Sequence, residues 1–479
     1  MKIILLWISL SMYCCLLKAQ STPEEKLVQT LHAITDLYVD SIPKETFVNS
    51  TIAKMMQKLD PYSEYLSPEQ MQRNEEVLGG MTFSVGIGME GTWIGNCFYV
   101  SFVEKEGNAW KQGIRAGDEI LSVDGKAVDQ LQGSLIFRSL KGEEGSGVTL
   151  KIKRREQPVF ERRVIRTHIP RSSVRAAYMM DSKTGYISIS MFSKNTLDDF
   201  RRSLLSLLQQ GMKDLVLDIQ KNEGGLFDEA VAVADEFLAG KEPIVYAEGV
   251  HMKRKTFFAG IKGSFEQGRL VVLVSEQTKS AAEILAGALQ DRRRAVLVGN
   301  HTFGKGLIQD TFSFKDGSAL RLTVARYFTP NGRSIQGKGV IPDVLVHNDT
   351  VYFTKWYNLL VYCGVQKKVT RDYVMEHRLE LLKKYRNIGL FLKSFMPDSL
   401  LQSVCQVSKE ANIVFSEEEY EKSKSFLLVQ LKALVARELF NENQYYYQIL
   451  NSANSSVQKA YEIVKSLDDY QMILKGSLK

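Results

Sequence analysis

Cysteine and histidine are scarce in these 479 residues, with five of the first and six of the second. Cys14 and Cys15 fall in an apolar N-terminal run, which leaves Cys97, Cys363 and Cys405. Three widely spaced cysteines make no disulfide framework. No His, Glu or Cys cluster has zinc spacing, so no metal is expected. A second long apolar run is also lacking. Nothing after the N-terminus reaches the roughly 20 residues that cross a bilayer. Charge of one sign is not in large excess, with 62 Lys and Arg against 55 Asp and Glu. The densest basic runs, Lys151–Arg155 and Arg292–Arg294, carry no interleaved aromatics and read as solvated faces, which argues against a nucleic-acid partner. Finally, there is no Gly-x-Ser-x-Gly elbow, so His301 is not expected to serve as the base of a histidine-dependent triad.

What is present begins with Met1-Lys2, an apolar stretch IILLWISLSMYCCLL, and Lys18-Ala19-Gln20. This reads as a secretory signal peptide over residues 1–20. It places the mature protein in the periplasm or outside the cell; an uncleaved anchor is the runner-up. Met12 and Tyr13 are too large for a lipoprotein signal before Cys14. Thr22-Pro23-Glu24-Glu25 is a capping box with proline at the first helical position. Leu27, Val28, Leu31, Ile34 and Leu37 follow at helical spacing.

The chain divides further by pattern. Residues 21–80 read as a helical segment. Residues 81–166 read as short strands, with a small helix and a Gly117-Asp118 turn. Strands and helices alternate over 167–348, which predicts an α/β core with a largely buried sheet. Residues 349–479 lack alternation and predict a helical domain. There Phe426, Leu427, Leu431, Leu434 and Val435 form a stripe that packs on itself, on the core, or on a dimer partner or adaptor.

The stretch with most chemistry is Thr278 to Gln309, TKSAAEILAGALQDRRRAVLVGNHTFGKGLIQ. Ser280 stands where a loop becomes a helix. Lys305 stands between Gly304 and Gly306, with Gln309 four residues on. A serine hydroxyl needs a base at neutral pH. A lysine serves only if burial lowers its pKa enough to keep it neutral. Apolar neighbours, Ala295–Val298, Phe303, Leu307 and Ile308, suit that. Gly299-x-x-x-x-Gly304-Lys305 also matches a P-loop up to its last position, where Gly306 replaces the Ser or Thr that holds Mg²⁺. The residues after Lys305 alternate as strands rather than opening a helix, so nucleotide binding is not expected. Gly224 and Gly225 lie between an apolar strand and a helix. They allow close backbone approach to a ligand, or simply make a βα turn.

SAAEILAGALQD, RAVLVG, TFGKGLIQ and DGSALRLTVARYFTPNGRSIQGKGVIPDV together resemble the protease core of the C-terminal processing peptidases, from about Leu59 to Val344. The resemblance implies a serine endopeptidase with Ser280 as nucleophile, Lys305 as base and Gln309 orienting the lysine. It makes Gly225 and Ala281 the oxyanion donors and calls for no cofactor. It implies a PDZ domain from Met81 to Arg166 that receives the free C-terminus of a protein or peptide substrate. There Gly86, Ile87 and Gly88 offer N–H groups to the terminal carboxylate and Lys141 senses it. A homo-oligomer or an activating adaptor is compatible with it. Three positions depart from the family pattern. Lys279 replaces a small residue and is expected to point to solvent. Gln220 replaces the arginine of LVLDIQKNEGG. Tyr62 replaces a histidine of the structural string LDPYSEYL. These departures are the only support for the alternative, an inactive PDZ-bearing scaffold that binds peptides.

Overall fold

The computed structural model describes residues 22–476 except Gly80, Gly95, Glu106, Arg155, Glu156, Arg171, Ile261 and 348–350; the expected signal segment lies outside the described residues. The chain forms two compact units. One holds residues up to Pro68 together with Asp310–Thr323, and the other holds Glu69–Gln309 and Val324 onward.

In the first unit, the helix Pro23–Leu37 starts as its sequence predicts. The Thr22 N–H donates to Glu25 Oε2 at 3.0 Å, and the Glu25 N–H donates to Thr22 Oγ1 at 3.2 Å. Its apolar stripe is not buried, and Leu27 and Val28 are more than half exposed. A second helix, Lys44–Met56, leads to the LDPYSEYL string. There Asp60 Oδ1 accepts the N–H groups of Tyr62 and Ser63, both at 2.8 Å. This aspartate turn feeds the strand Glu64–Leu66, which pairs antiparallel with Ala319–Arg321. The string is therefore structural, and Tyr62 contributes its backbone to the turn.

The second unit contains the α/β core. Its sheet runs in the order 174–179, 184–189, 214–218, 270–274, 296–299, 344–345. The first pair is antiparallel and every later pair is parallel. Asp214–Asp218 and Leu270–Val274 are buried along their whole length. Both faces of a parallel sheet are covered, which is why these strands read as continuous apolar runs. Side chains alternate between the faces. Leu215, Leu217, Val272 and Val274 pack with Phe200, Leu204, Val233 and Leu285 of three helices. Val216, Val271 and Leu273 pack on the other face with Val457, Ala460, Ile463 and Val464. The last two helices of the chain, Ser455–Lys465 and Leu467–Leu474, thus cover one face of the core sheet.

A β-rich region precedes this core, with strands in the order 89–94, 97–103, 119–123, 147–153, 160–165. Its own core includes Ile87, Phe98, Val100, Ile136, Leu150 and Val164. Gly117 turns the chain at φ 97°, and buried Asp118 accepts from Arg154 Nε at 2.6 Å and Nη2 at 2.7 Å. The helices from Lys355 onward form a further core around Trp356, Phe391, Leu427, Leu431 and Val435. Of the stripe predicted there, Leu427, Leu431 and Val435 belong to this core, while Leu434 lines a cavity with Glu90 and Phe102. Among the described residues no helix is long and apolar enough to cross a membrane.

Candidate active site

Ser280 is the N-cap of the helix Ala281–Asp291 and has φ 54° and ψ −118°. A positive φ in a non-glycine residue costs on the order of 1–3 kcal/mol and persists only where the surroundings enforce it. The surroundings are Glu283 and Tyr327. Glu283 is fully buried, and its carboxylate accepts four hydrogen bonds. Oε2 takes the N–H of Ser280 at 2.8 Å and the N–H of Lys305 at 2.9 Å. Oε1 takes the N–H of Gly304 at 2.7 Å and the hydroxyl of Thr302. Burial pushes the Glu283 carboxyl above the usual range, and these four donors pull it back.

Tyr327 grips the same two residues by their carbonyls. Its hydroxyl points at Ser280 O, 2.7 Å away, and at Lys305 O. The ring is 1% exposed, and burial holds the phenol far above its ordinary pKa, so it remains a donor. The backbones of Ser280 and Lys305 are therefore joined twice, through their N–H groups by one side chain and through their carbonyls by another. On the lysine side chain, Nζ donates to Gln309 Oε1 at 2.8 Å. The Gly306 N–H donates to Gln336 Oε1 at 2.9 Å, which fixes the loop just beyond the lysine.

The loop with Gly224 and Gly225 sits against the serine. A side chain at Gly224 would meet the Ser280 Cβ at 2.9 Å, and one at Gly225 would meet Phe192 O at 2.1 Å. Their φ values, 100° and 134°, suit glycine. Three hydrogen bonds stitch the two loops together. Ser275 Oγ donates to Gln220 O at 2.5 Å, Thr278 Oγ1 to Ile219 O at 2.9 Å, and the Lys279 N–H to Asn222 O at 3.0 Å. The N–H groups of Gly225 and Ala281 donate to no protein acceptor among the described residues.

The departures find partners. Gln220 is buried, and its Oε1 accepts from Asn454 Nδ2 at 3.2 Å, a neutral contact that leaves no charge to compensate. Lys279 is less solvated than expected. Its side chain is 29% exposed, its ammonium lies 3.8 Å from Glu223, and it sits 4.8 Å from the centre of the Phe303 ring. His301 is exposed.

The second group of expected residues lies in the β-rich region. Gly86 ends the strand Met81–Gly86 and is near the carbonyl of Leu140, the last residue of the helix Leu135–Leu140. Lys141 caps that helix and is exposed. The Ile87 side chain belongs to the regional core, and its carbonyl accepts from the Ala109 N–H at 2.8 Å. The Gly88 carbonyl accepts from the Glu104 N–H at 2.9 Å.

Glu283 and Tyr327 were not singled out from sequence. Glu283 carried a signal, since an acidic residue three places after a serine at a helix start is a capping-box pattern. Tyr327 carried none.

The family described as Peptidase family S41 matches residues 183–346, a PDZ domain matches 99–154, and a family of unknown function, DUF8443, matches 356–441. A "Carboxy-terminal-processing protease" of Bartonella bacilliformis is 32% identical over 329 residues, which are 67% of this chain and 74% of that protein. A "Probable CtpA-like serine protease" of Staphylococcus saprophyticus is 32% identical over 328 residues, 67% of this chain. The chain spans 64% of the length of that relative and 57% of a similarly named one from Staphylococcus haemolyticus. Among solved structures, a photosystem II D1 C-terminal processing protease is 32% identical. It covers 68% of this chain and 94% of its own, with a TM-score of 0.39.

Proposed function

The chain belongs to the C-terminal processing peptidases of family S41 and carries their PDZ domain, and from that premise we propose that it is a secreted or periplasmic serine endopeptidase cutting proteins near their C-termini. Ser280 Oγ attacks the scissile carbonyl while neutral Lys305 takes its proton. The resulting ammonium gives that proton to the leaving amine as the C–N bond breaks. A water, deprotonated by the same lysine, then cleaves the acyl-enzyme ester and returns the serine hydroxyl. Gln309 takes one N–H of the lysine and so aims its lone pair. The N–H groups of Gly225 and Ala281 receive the oxyanion. The PDZ domain takes the substrate tail by strand addition, with its carboxylate at Gly86–Gly88 and beside Lys141.

The observation that carries this reading is the double tie between Ser280 and Lys305. A buried carboxylate and a buried phenol, from different elements, hold the same two backbones. None of the three departures removes a group that acts in the reaction, so nothing favours the inactive scaffold. The test is cleavage of casein by the mature protein beside Ser280→Ala and Lys305→Ala. Loss in both variants, with circular dichroism unchanged, supports the reading; equal cleavage by all three refutes it.

A further inference from the structure

The helical domain matched to a family of unknown function is attached on two sides by contrasting chemistry. Its C-terminal continuation meets the core sheet through Val457, Ala460, Ile463 and Val464, an apolar contact closed to water. The domain meets the PDZ domain through charge. Along the strand Met89–Ile94, Met89 and Trp93 turn inward to the PDZ core. Glu90 and Thr92 turn outward, as alternation requires. Glu90 accepts from Arg437 Nη2 at 2.7 Å and from Arg371 Nη2 at 3.3 Å. The Arg437 guanidinium also lies 4.1 Å from the centre of the Phe102 ring.

One contact is specific to backbone. Asn441 ends the helix Glu417–Phe440 in the left-handed conformation, φ 54° and ψ 43°. That geometry turns its amide onto Val103, where Oδ1 accepts the Val103 N–H and Nδ2 donates to the Val103 carbonyl, both at 2.8 Å. The amide thus does for the end of the strand Cys97–Val103 what a neighbouring strand would do. Beside it lies a cavity of 720 Å³, lined in part by Glu90, Arg175, Arg371, Arg437 and Glu438. Within it the buried Glu438 Oε2 and Arg371 Nε have no hydrogen-bond partner among the described residues, although Arg371 Nε lies 4.0 Å from Glu438 Oε1. The Glu90 side chain is 46% exposed. Its partners Arg437 and Arg371 are 18% and 20% exposed, and an ion pair with one half-exposed member is weakened by salt and parts more readily than an apolar contact.

We infer that residues 356–441 are a docking platform for the PDZ domain of the same chain, gripping it reversibly through the outward Glu90 side chain and the backbone of Val103 at a strand end. The platform itself stays fixed to the protease core by the apolar helices that follow it. This assignment does not depend on the proteolytic reading and is tested without it.

The test follows amide exchange by mass spectrometry in the full chain carrying Ser280→Ala. In Glu90→Gln, which keeps shape and removes charge, the peptide containing Val103 should exchange about tenfold faster, while the strand Gly147–Lys153 stays protected. The same acceleration should appear in the parent between about 0.05 and about 0.5 M NaCl. Asn441→Gly keeps the left-handed backbone and removes the amide, and it should shift that transition to lower salt. Unchanged exchange at Val103 in both Glu90→Gln and high salt overturns the proposal. So does equal acceleration of Gly147–Lys153, which would mean that the PDZ domain unfolds rather than undocks.

Discussion

The proposed catalytic corner and the proposed carboxylate-binding loop are built in different ways. At Ser280 and Lys305 the backbone is held by two buried side chains, Glu283 from the helix that Ser280 caps and Tyr327 from a strand. At Ile87 and Gly88 the loop is held by main-chain bonds within its own domain, and Lys141 at its side is exposed. Bond making needs the reacting atoms placed to within a fraction of an ångström, so the corner is over-determined. Receiving a peptide end, the role proposed for the loop, needs only a strand edge and a cation, so the loop is not. Damage to the corner should therefore appear in kcat, and damage to the loop in KM.

The largest effect tests whether the corner is the site at all. Ser280→Ala and Lys305→Ala should each lower kcat/KM for an unfolded substrate by more than about 1000-fold. Residual activity within about tenfold of the parent would remove the corner from the reaction.

Next comes the carboxylate. In Glu283→Gln the amide nitrogen must face two of the four donors now bonded, so kcat should fall by roughly 100-fold with KM little changed. A loss of less than about threefold would show that the Ser280 geometry stands without this clamp. Tyr327→Phe keeps the ring and loses both carbonyl contacts, and kcat should drop by about tenfold. A burst assay with an ester substrate would show whether acylation is the step that slows.

On the loop side, Lys141→Glu should raise KM about three- to tenfold for a peptide with a free C-terminus and leave kcat alone. The same peptide with an amidated end should not respond. Equal effects on both peptides would mean that Lys141 does not read the carboxylate.

The smallest effect concerns stability beside the corner. Asp218 is buried, and burial raises its carboxyl above the unfolded value despite bonds from the Tyr186 hydroxyl and the Gln220 N–H. A raised carboxyl favours folding fully below its unfolded pKa, and that contribution is lost as pH rises through the folded value. Asp218→Asn removes the term. Its melting temperature should therefore gain on the parent as pH climbs from about 4 to about 7. A constant difference across that range would show that Asp218 does not titrate there.

Much of this was legible in the chain itself. The capping box at Thr22 and the apolar strands around Leu215 and Leu270 are local patterns, and they fold as read. The triple Ser280, Lys305 and Gln309 was visible through its glycine neighbours and its resemblance to a family. The Nζ–Oε1 contact of 2.8 Å joins two residues only four apart. The departures were visible as departures but not in their consequence. Gln220 meets Asn454, 234 residues away, and Lys279 meets an aromatic ring rather than open water.

Composition and spacing determined which residue types were on hand and which segments were helix or strand, because those depend on side-chain periodicity and backbone freedom over a few residues. Only the tertiary structure decided what completes the hold on the strained Ser280, because Glu283 lies three residues on but Tyr327 sits on the strand Ala319–Phe328. Tyr327 is 47 residues from Ser280 and 22 from Lys305, and no local rule marks a tyrosine in a strand as a clamp. The same holds for Asn441 and Val103, 338 residues apart, whose meeting depends on how two domains pack. Strand order and domain packing set such contacts, and both arise from burying apolar faces that lie far apart along the chain.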